Sequence, residues 1–270
     1  MTQKKPDAVV TDLDGSLLGP DHKVGPRDRE AIRRLLELGV PVVPGTGRPP
    51  IGCRPLAKEL GIRLILCANG GCSFDLAESR VLSAAFMDHG TARRLLDWLF
   101  RENYNFLIHT PWQILRSPGA SHISRYELRG PEEDGLVAPD SSLEGLEILK
   151  VLIVGCDGPA VCARARRVFS PEELTICSSD SLLVDFNPPG VNKGRGLRAM
   201  ARSMGWDLGN VLALGDNYND REMLEAVGLS AAPATAVPEI LSAAKYVSAP
   251  CGENPLSQAV EHYFPGLLGP

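Results

Sequence analysis

The stretch Val9-Val10-Thr11-Asp12-Leu13-Asp14-Gly15-Ser16 decides how this chain is read. A short β-branched run, the pattern of a buried strand, ends in two carboxylates two positions apart, and Gly15 then lets the backbone bend. Asp12 and Asp14 can therefore face one ligand. The same form recurs downstream: an apolar run precedes Thr46 in Val42-Val43-Pro44-Gly45-Thr46-Gly47-Arg48, and another precedes Asp216 and Asp220 in Leu212-Ala213-Leu214-Gly215-Asp216-Asn217-Tyr218-Asn219-Asp220. Lys193 follows a turn in Gly190-Val191-Asn192-Lys193-Gly194.

Outward from these segments the chain alternates strand and helix. After the strand Ala8 to Thr11, Pro26 starts a helix with Ile32, Leu35, Leu36 and Leu38 on one face, stopping at Gly39. A strand Val40 to Val43, a helix around Pro55 to Leu60 and a strand Leu64 to Cys67 complete a βαβαβ series, the mark of a parallel sheet covered by helices. The rhythm returns late, with a helix from Lys193 to about Met204, a strand Val211 to Leu214, a helix Asn219 to Val227 and a short strand Lys245 to Val247. Residues 1–75 and 186–270 are thus expected to form one Rossmann-like α/β core built from both ends of the chain. Residues 76–185 read as an inserted α+β lobe. It has helices at Thr91 to Arg101 and Pro159 to Phe169, strands at Asn105 to His109, Gln113 to Arg116 and Leu149 to Val154, and a surface loop from Arg129 to Ser142.

In an open parallel sheet, ligands bind beyond the carboxyl ends of the strands, which is where Asp12, Thr46 and Asp216 fall. Several carboxylates in one crevice repel each other unless a cation sits between them, and oxygen ligands without His or Cys select magnesium. Lys193 is a point cation, and the Thr46 hydroxyl with backbone N–H groups around Gly47 can hold phosphoryl oxygens. That inventory suits phosphoryl transfer, which rests on positioning and charge stabilisation. A calcium loop of the EF-hand kind is disfavoured, since neither Asp12 to Leu17 nor Asp216 to Arg221 has Gly at the sixth position.

Composition narrows the partners. The 270 residues carry a formal net charge of -5, against a nucleic-acid or anionic-membrane surface and in favour of a small partner. The 7 cysteines are odd in number and several lie in apolar runs, as reduced thiols of a cytoplasmic protein do. The N-terminal residues lack the apolar core of a signal peptide, and no run approaches the roughly 20 apolar residues of a membrane span.

The four segments resemble, in order, the four motifs of the haloacid dehalogenase superfamily. The large insertion between the second and third, with Leu66-Cys67-Ala68-Asn69-Gly70-Gly71 before it, resembles the Cof-type phosphatase branch and its α/β cap. The resemblance implies a magnesium-dependent phosphatase of small phosphorylated metabolites, with sugar phosphates leading. It makes Asp12 the nucleophile that becomes an aspartyl-phosphate, and Asp14 the acid and base. It makes Asp12, Asp14 through its backbone carbonyl, and Asp216 ligands of magnesium, with Asp220 and Asn219 supporting the ion and Lys193. Thr46, Gly47 and Lys193 would bind the phosphoryl group, with Arg48 and Asn219 as further contacts. Asp14 argues against dehalogenation, which needs no proton donor there. A phosphomutase of the same superfamily and a non-catalytic phosphometabolite-binding regulator stay open as alternatives. The branch's usual Gly-Asn-Ala turn after the fourth motif is replaced by Ala232-Pro233-Ala234-Thr235-Ala236. In the insertion, His109, Trp112, Arg116 and Lys150 lie on predicted strands or their turns, where a cap would read substrate or where they would pack.

Overall fold

The computed structural model describes residues 5–120, 134–180 and 182–269. Fourteen strands and eight α-helices alternate along these residues. The strands are β1 (Ala8–Thr11), β2 (Val42–Pro44), β3 (Leu64–Cys67), β4 (Cys72–Asp75), β5 (Arg80–Ala84), β6 (Phe106–His109), β7 (Ile114–Arg116), β8 (Asp134–Leu136), β9 (Lys150–Val154), β10 (Thr175–Asp180), β11 (Leu183–Asn187), β12 (Val211–Leu214), β13 (Leu229–Pro233) and β14 (Tyr246–Ser248). The helices are α1 (Pro26–Glu37), α2 (Pro50–Leu60), α3 (His89–Arg101), α4 (Gly158–Ala165), α5 (Lys193–Met204), α6 (Arg221–Ala226), α7 (Pro238–Ala243) and α8 (Pro255–Tyr263).

The contacts divide the chain into two compact units. The first comprises Met1–Gly47, Cys53–Ser83 and Asn192–Pro270. Its main sheet has the order β14-β13-β12-β1-β2 with every pairing parallel. β1 lies in the interior, with Val9 opposite Leu212 on one side and Val42 on the other. Both faces are covered, which is why the strand is apolar at successive positions rather than at alternate ones. Ala8 and Val10 join Leu197, Met200, Met223 and Leu224 of α5 and α6 in one core cluster, while α1 packs against α8. A parallel bridge from Gly45 to Leu66 carries the array on to β3, which turns through a hairpin into β4 and then β5.

The second unit comprises Arg48–Gly52 and Ala84–Val191. Its sheet runs β10-β11-β9-β6-β7-β8, antiparallel except where β7 meets β8. Period-two alternation sends Phe106, Ile108, Val151, Ile153, Val184 and Phe186 to a core shared with Leu95, Leu96, Trp98 and Leu99 of α3 and Val161 and Cys162 of α4. The Trp98 ring meets Phe169 edge-on, with centroids 6.0 Å apart at 83°. The opposite face gathers Leu107, Ile114, Leu152 and Val154 around Ile51.

A parallel α/β core with an inserted α+β unit is therefore the architecture of this chain. Where the sequence places the boundaries at 75/76 and 185/186, the contacts change units at 83/84 and 191/192. The β3–β4 hairpin holds β5 in the first unit's three-stranded sheet, and β11 pairs with β9 in the second. The loop expected over Arg129 to Ser142 is corrected at residues 134–136, which form β8 beside β7; residues 129–133 lie outside the described ones. The helix expected from Asn219 to Val227 is a 3-10 turn, Tyr218–Asp220, followed by α6. No helix among the described residues is long and apolar enough to cross a membrane, and the cysteines are free thiols.

Candidate active site

The sheet ends β1 at Thr11, and the Asp12 N–H still donates to the Leu214 carbonyl at 2.8 Å, so the side chain leaves the strand at a fixed place. β12 ends two residues before Asp216, on the neighbouring strand. Asp12, Asp216 and Asp220 each offer a carboxylate oxygen, all within 4.8 Å of one another. The approach of the two strand ends depends on Gly15, which has φ +89; a Cβ there would lie 2.3 Å from Asp216 Oδ2. A residue with a side chain would be strained in the backbone and would collide with the carboxylate as well.

Lys193 enters the cluster from the first turn of α5, whose N-cap is the Asn192 side chain accepting from the Arg195 N–H at 2.7 Å. Its Nζ donates to Asp12 Oδ1 at 2.6 Å and to Asp220 Oδ1 at 2.5 Å. The other Asp220 oxygen accepts the backbone N–H groups of Asp216 and Asn217, each at 3.0 Å. Asp220 thus closes its own turn and aims the ammonium at Asp12. The Ser16 hydroxyl, fully buried, donates to Asp216 Oδ1 at 2.9 Å and orients that carboxylate.

Charge in this cluster is unbalanced. Three carboxylates surround one ammonium. Burial pushes the Asp12 carboxyl well above the usual carboxylate range; Lys193 pulls it down, and Asp220 and Asp216 push it further up. Burial and then Asp220 push Asp216 up to about 6. Burial opposes the charge on Lys193, but Asp12 and Asp220 outweigh it and hold the ammonium above its ordinary pKa. A cluster of buried hard-oxygen donors that resist ionisation beside each other fits a divalent cation, which would relieve the repulsion.

The remaining expected residues are distributed as follows. The Asp14 side chain is exposed beyond the strand end, close enough to raise Asp216 by its charge. Thr46 is buried after β2, its N–H donating to the Leu66 carbonyl at 2.8 Å and its carbonyl accepting from the Asn69 N–H at 3.1 Å; Gly47 follows it, half-buried. Asn219 Nδ2 donates to Asn69 Oδ1 at 3.4 Å. Arg48 belongs to the second compact unit, not to the group that the first unit brings together. Of the insertion residues, Lys150 is an ion-pair partner of Asp185, both buried in the second unit's sheet. His109 is buried beside it on β6, and burial with the Lys150 charge keeps its ring well below the usual imidazole range. Ser16 and Asn69 stand in the quoted segments without an expected role, yet both carry contacts within the site, because a hydroxyl or amide partner across the fold leaves no periodic trace.

Comparison with known proteins identifies the family. A model of the haloacid dehalogenase-like hydrolases matches residues 9–260. The 5-amino-6-(5-phospho-D-ribitylamino)uracil phosphatase YcsE of Bacillus subtilis is 27% identical over 260 residues, covering 94% of each chain. An HMP-PP phosphatase of Cronobacter sakazakii is 26% identical over 262 residues, covering 93% of this chain and 92% of its own. The crystal structure of a haloacid dehalogenase-like hydrolase from Bacteroides thetaiotaomicron has the same fold, with a TM-score of 0.84 at 24% identity over 96% of this chain and 100% of that one. The match spans nearly the whole length and contains every strand-end carboxylate and the buried lysine; the chain belongs to the haloacid dehalogenase-like hydrolases.

Proposed function

We propose that the chain is a magnesium-dependent phosphatase of small phosphorylated metabolites, sugar phosphates foremost, working through an aspartyl-phosphate on Asp12. The observation that carries this reading is the buried Asp12 carboxylate, held by Lys193 Nζ at 2.6 Å, with a second carboxylic acid, Asp14, exposed two residues on. A pure binder of phosphate would place cations there, not a buried nucleophile and an acid. The relatives named above as phosphatases support the same class.

In this reading an Asp12 oxygen attacks phosphorus while the bond to the leaving alkoxide breaks, and Asp14 gives that oxygen its proton. Asp14, now a carboxylate, takes a proton from the water that next attacks the aspartyl-phosphate; inorganic phosphate leaves and Asp12 is restored. Lys193 offsets the charge of Asp12 and of the phosphoryl oxygens, which otherwise meet like with like. Thr46 and the N–H groups around Gly47 hold the transferring oxygens, with Asn219 as a further contact. Asp12, Asp216 and the Asp14 backbone carbonyl would hold magnesium, with Asp220 behind them. When bound, the ion supplies charge neutralisation and orientation of the phosphoryl group.

The test is phosphate release by the purified protein from a panel of sugar phosphates, nucleotides and pyridoxal phosphate, with and without magnesium, beside Asp12→Asn. Metal-dependent release that vanishes in the variant is the expected result. Release that persists in Asp12→Asn would overturn the assignment of the nucleophile.

A further inference from the structure

We propose that Asn69 is a positioning residue of the phosphoryl-binding site, tied to the Thr46 turn by its backbone N–H and to the Asn219 turn by its side chain; this rests on the phosphatase reading above. The segment that ends β3 adopts an uncommon backbone. Ala68, Asn69 and Gly70 are consecutive left-handed residues with φ of 50°, 56° and 86°. For residues with a Cβ that conformation is strained, and it persists only where the surroundings hold it. Here the surroundings are three of the four motif segments.

The Asn69 N–H donates to the Thr46 carbonyl at 3.1 Å, and its side-chain Oδ1 accepts from Asn219 Nδ2 at 3.4 Å. The next residue meets the start of the lysine helix: a Cβ on Gly70 would lie 2.3 Å from the Asn192 carbonyl oxygen, and one on Gly196 would lie 2.4 Å from the Gly70 oxygen. Only 3% of Asn69 is exposed, so its amide is committed to these neighbours rather than to water. Thr46 follows the end of β2, Asn219 follows the end of β12 and Lys193 opens α5; β1 lies between β2 and β12, so no ladder bond joins the Thr46 and Asn219 turns directly. Asn69 spans that gap. Asparagine tolerates the left-handed conformation and brings an amide, a combination that neither Gly nor Ala supplies.

The experiment separates the side chain from the backbone it sits on. Asn69→Gly keeps the left-handed turn and deletes the amide; Asn69→Ala deletes the amide and keeps the strain. Both are compared with Asn219→Ala and the Asn69→Gly/Asn219→Ala double variant. The readouts are kcat and KM for p-nitrophenyl phosphate with magnesium, the affinity for inorganic phosphate by calorimetry, and Tm. The expected result is that Asn69→Gly keeps its Tm yet loses about tenfold in kcat/KM and in phosphate affinity, a typical effect of one buried hydrogen bond. The double variant should lose no more than Asn219→Ala alone, since the Asn69 side chain acts only through Asn219.

The proposal is overturned if Asn69→Gly matches the wild type while Asn69→Ala melts lower, which would make the segment a purely structural turn. Losses that multiply in the double variant overturn it too. If the wild type turns over no phosphate ester, the phosphatase reading fails, and the phosphate-affinity series alone still decides the role of Asn69.

Discussion

Lys193 has no exposed surface and lies between two carboxylates, so its ammonium is bound into the fold as firmly as any apolar side chain. Asp12 is the opposite case, a charge that the fold resists. Its carboxyl is pushed up by burial, so ionising it at neutral pH works against the metal-free fold. Replacing this proposed nucleophile with a neutral amide of the same shape should therefore remove turnover, by on the order of 10⁶-fold as for the nucleophile of a serine protease, without lowering Tm in the absence of metal. Parallel activity and melting curves for Asp12→Asn check both halves. Asp216 gives the pH dependence. Its pKa rises from 3.8 to about 6 on folding, so its contribution to stability is complete below 3.8 and disappears as pH rises through about 6. Protons and the proposed magnesium ion would compete for the same oxygens. Thermal melts at pH 5 and pH 7.5 should show magnesium raising Tm more at the higher pH; an equal rise would mean that the ion does not bind these carboxylates.

Helices α1 and α8 each begin with a proline and leave backbone donors at their N-termini, and each end is capped by the other segment. Asn254 Oδ1 accepts from the Arg27 N–H at 2.9 Å and the Asp28 N–H at 3.4 Å, while the Asp28 carboxylate accepts from Ser257 at 2.7 Å and Leu256 at 3.4 Å. Asp28→Ala should cost about 1–2 kcal/mol, the usual worth of a cap, in a denaturant titration. Asn254→Gly should cost less than Asn254→Ala, because Asn254 has φ 61°. Most elements could be read from periodicity: β1, β12 and α5 stand where their apolar patterns place them. β13 could not, since Leu229-Ser230-Ala231-Ala232-Pro233 is too small and weakly β-forming to announce a strand and becomes one only between β12 and β14. β10 and β11 were hidden in the same way, as short polar-apolar mixtures such as Thr175–Asp180 that acquire their meaning from pairing with β9 and each other. The residue types of the candidate site were legible because strand ends and glycine turns mark them. Their mutual contacts were not, because Ser16 with Asp216 and Asn69 with Asn219 are joined only by the folded sheet.

At the scale of the whole molecule, each compact unit has its own apolar cluster, and the second adds a buried ion pair, Lys150 with Asp185, on the sheet face away from α3 and α4. Removing one partner strands the other charge in a dry setting. Lys150→Met should therefore destabilise by about 3–5 kcal/mol, and Lys150→Met/Asp185→Leu should recover most of that loss, as read by calorimetric unfolding; a neutral single variant would show that water reaches the pair. The position of β1 has a consequence for the timing of biosynthesis. Its neighbours are Val42–Pro44, close behind it, and Val211–Leu214, near the far end. During translation one edge of β1 waits unpaired while the entire second unit is made, an open template for association with other chains and a natural point for a chaperone to shield. The same delay keeps Asp12 apart from Lys193 and Asp216 until both of these have left the ribosome, so a nascent copy cannot hydrolyse anything while the second unit is still being made.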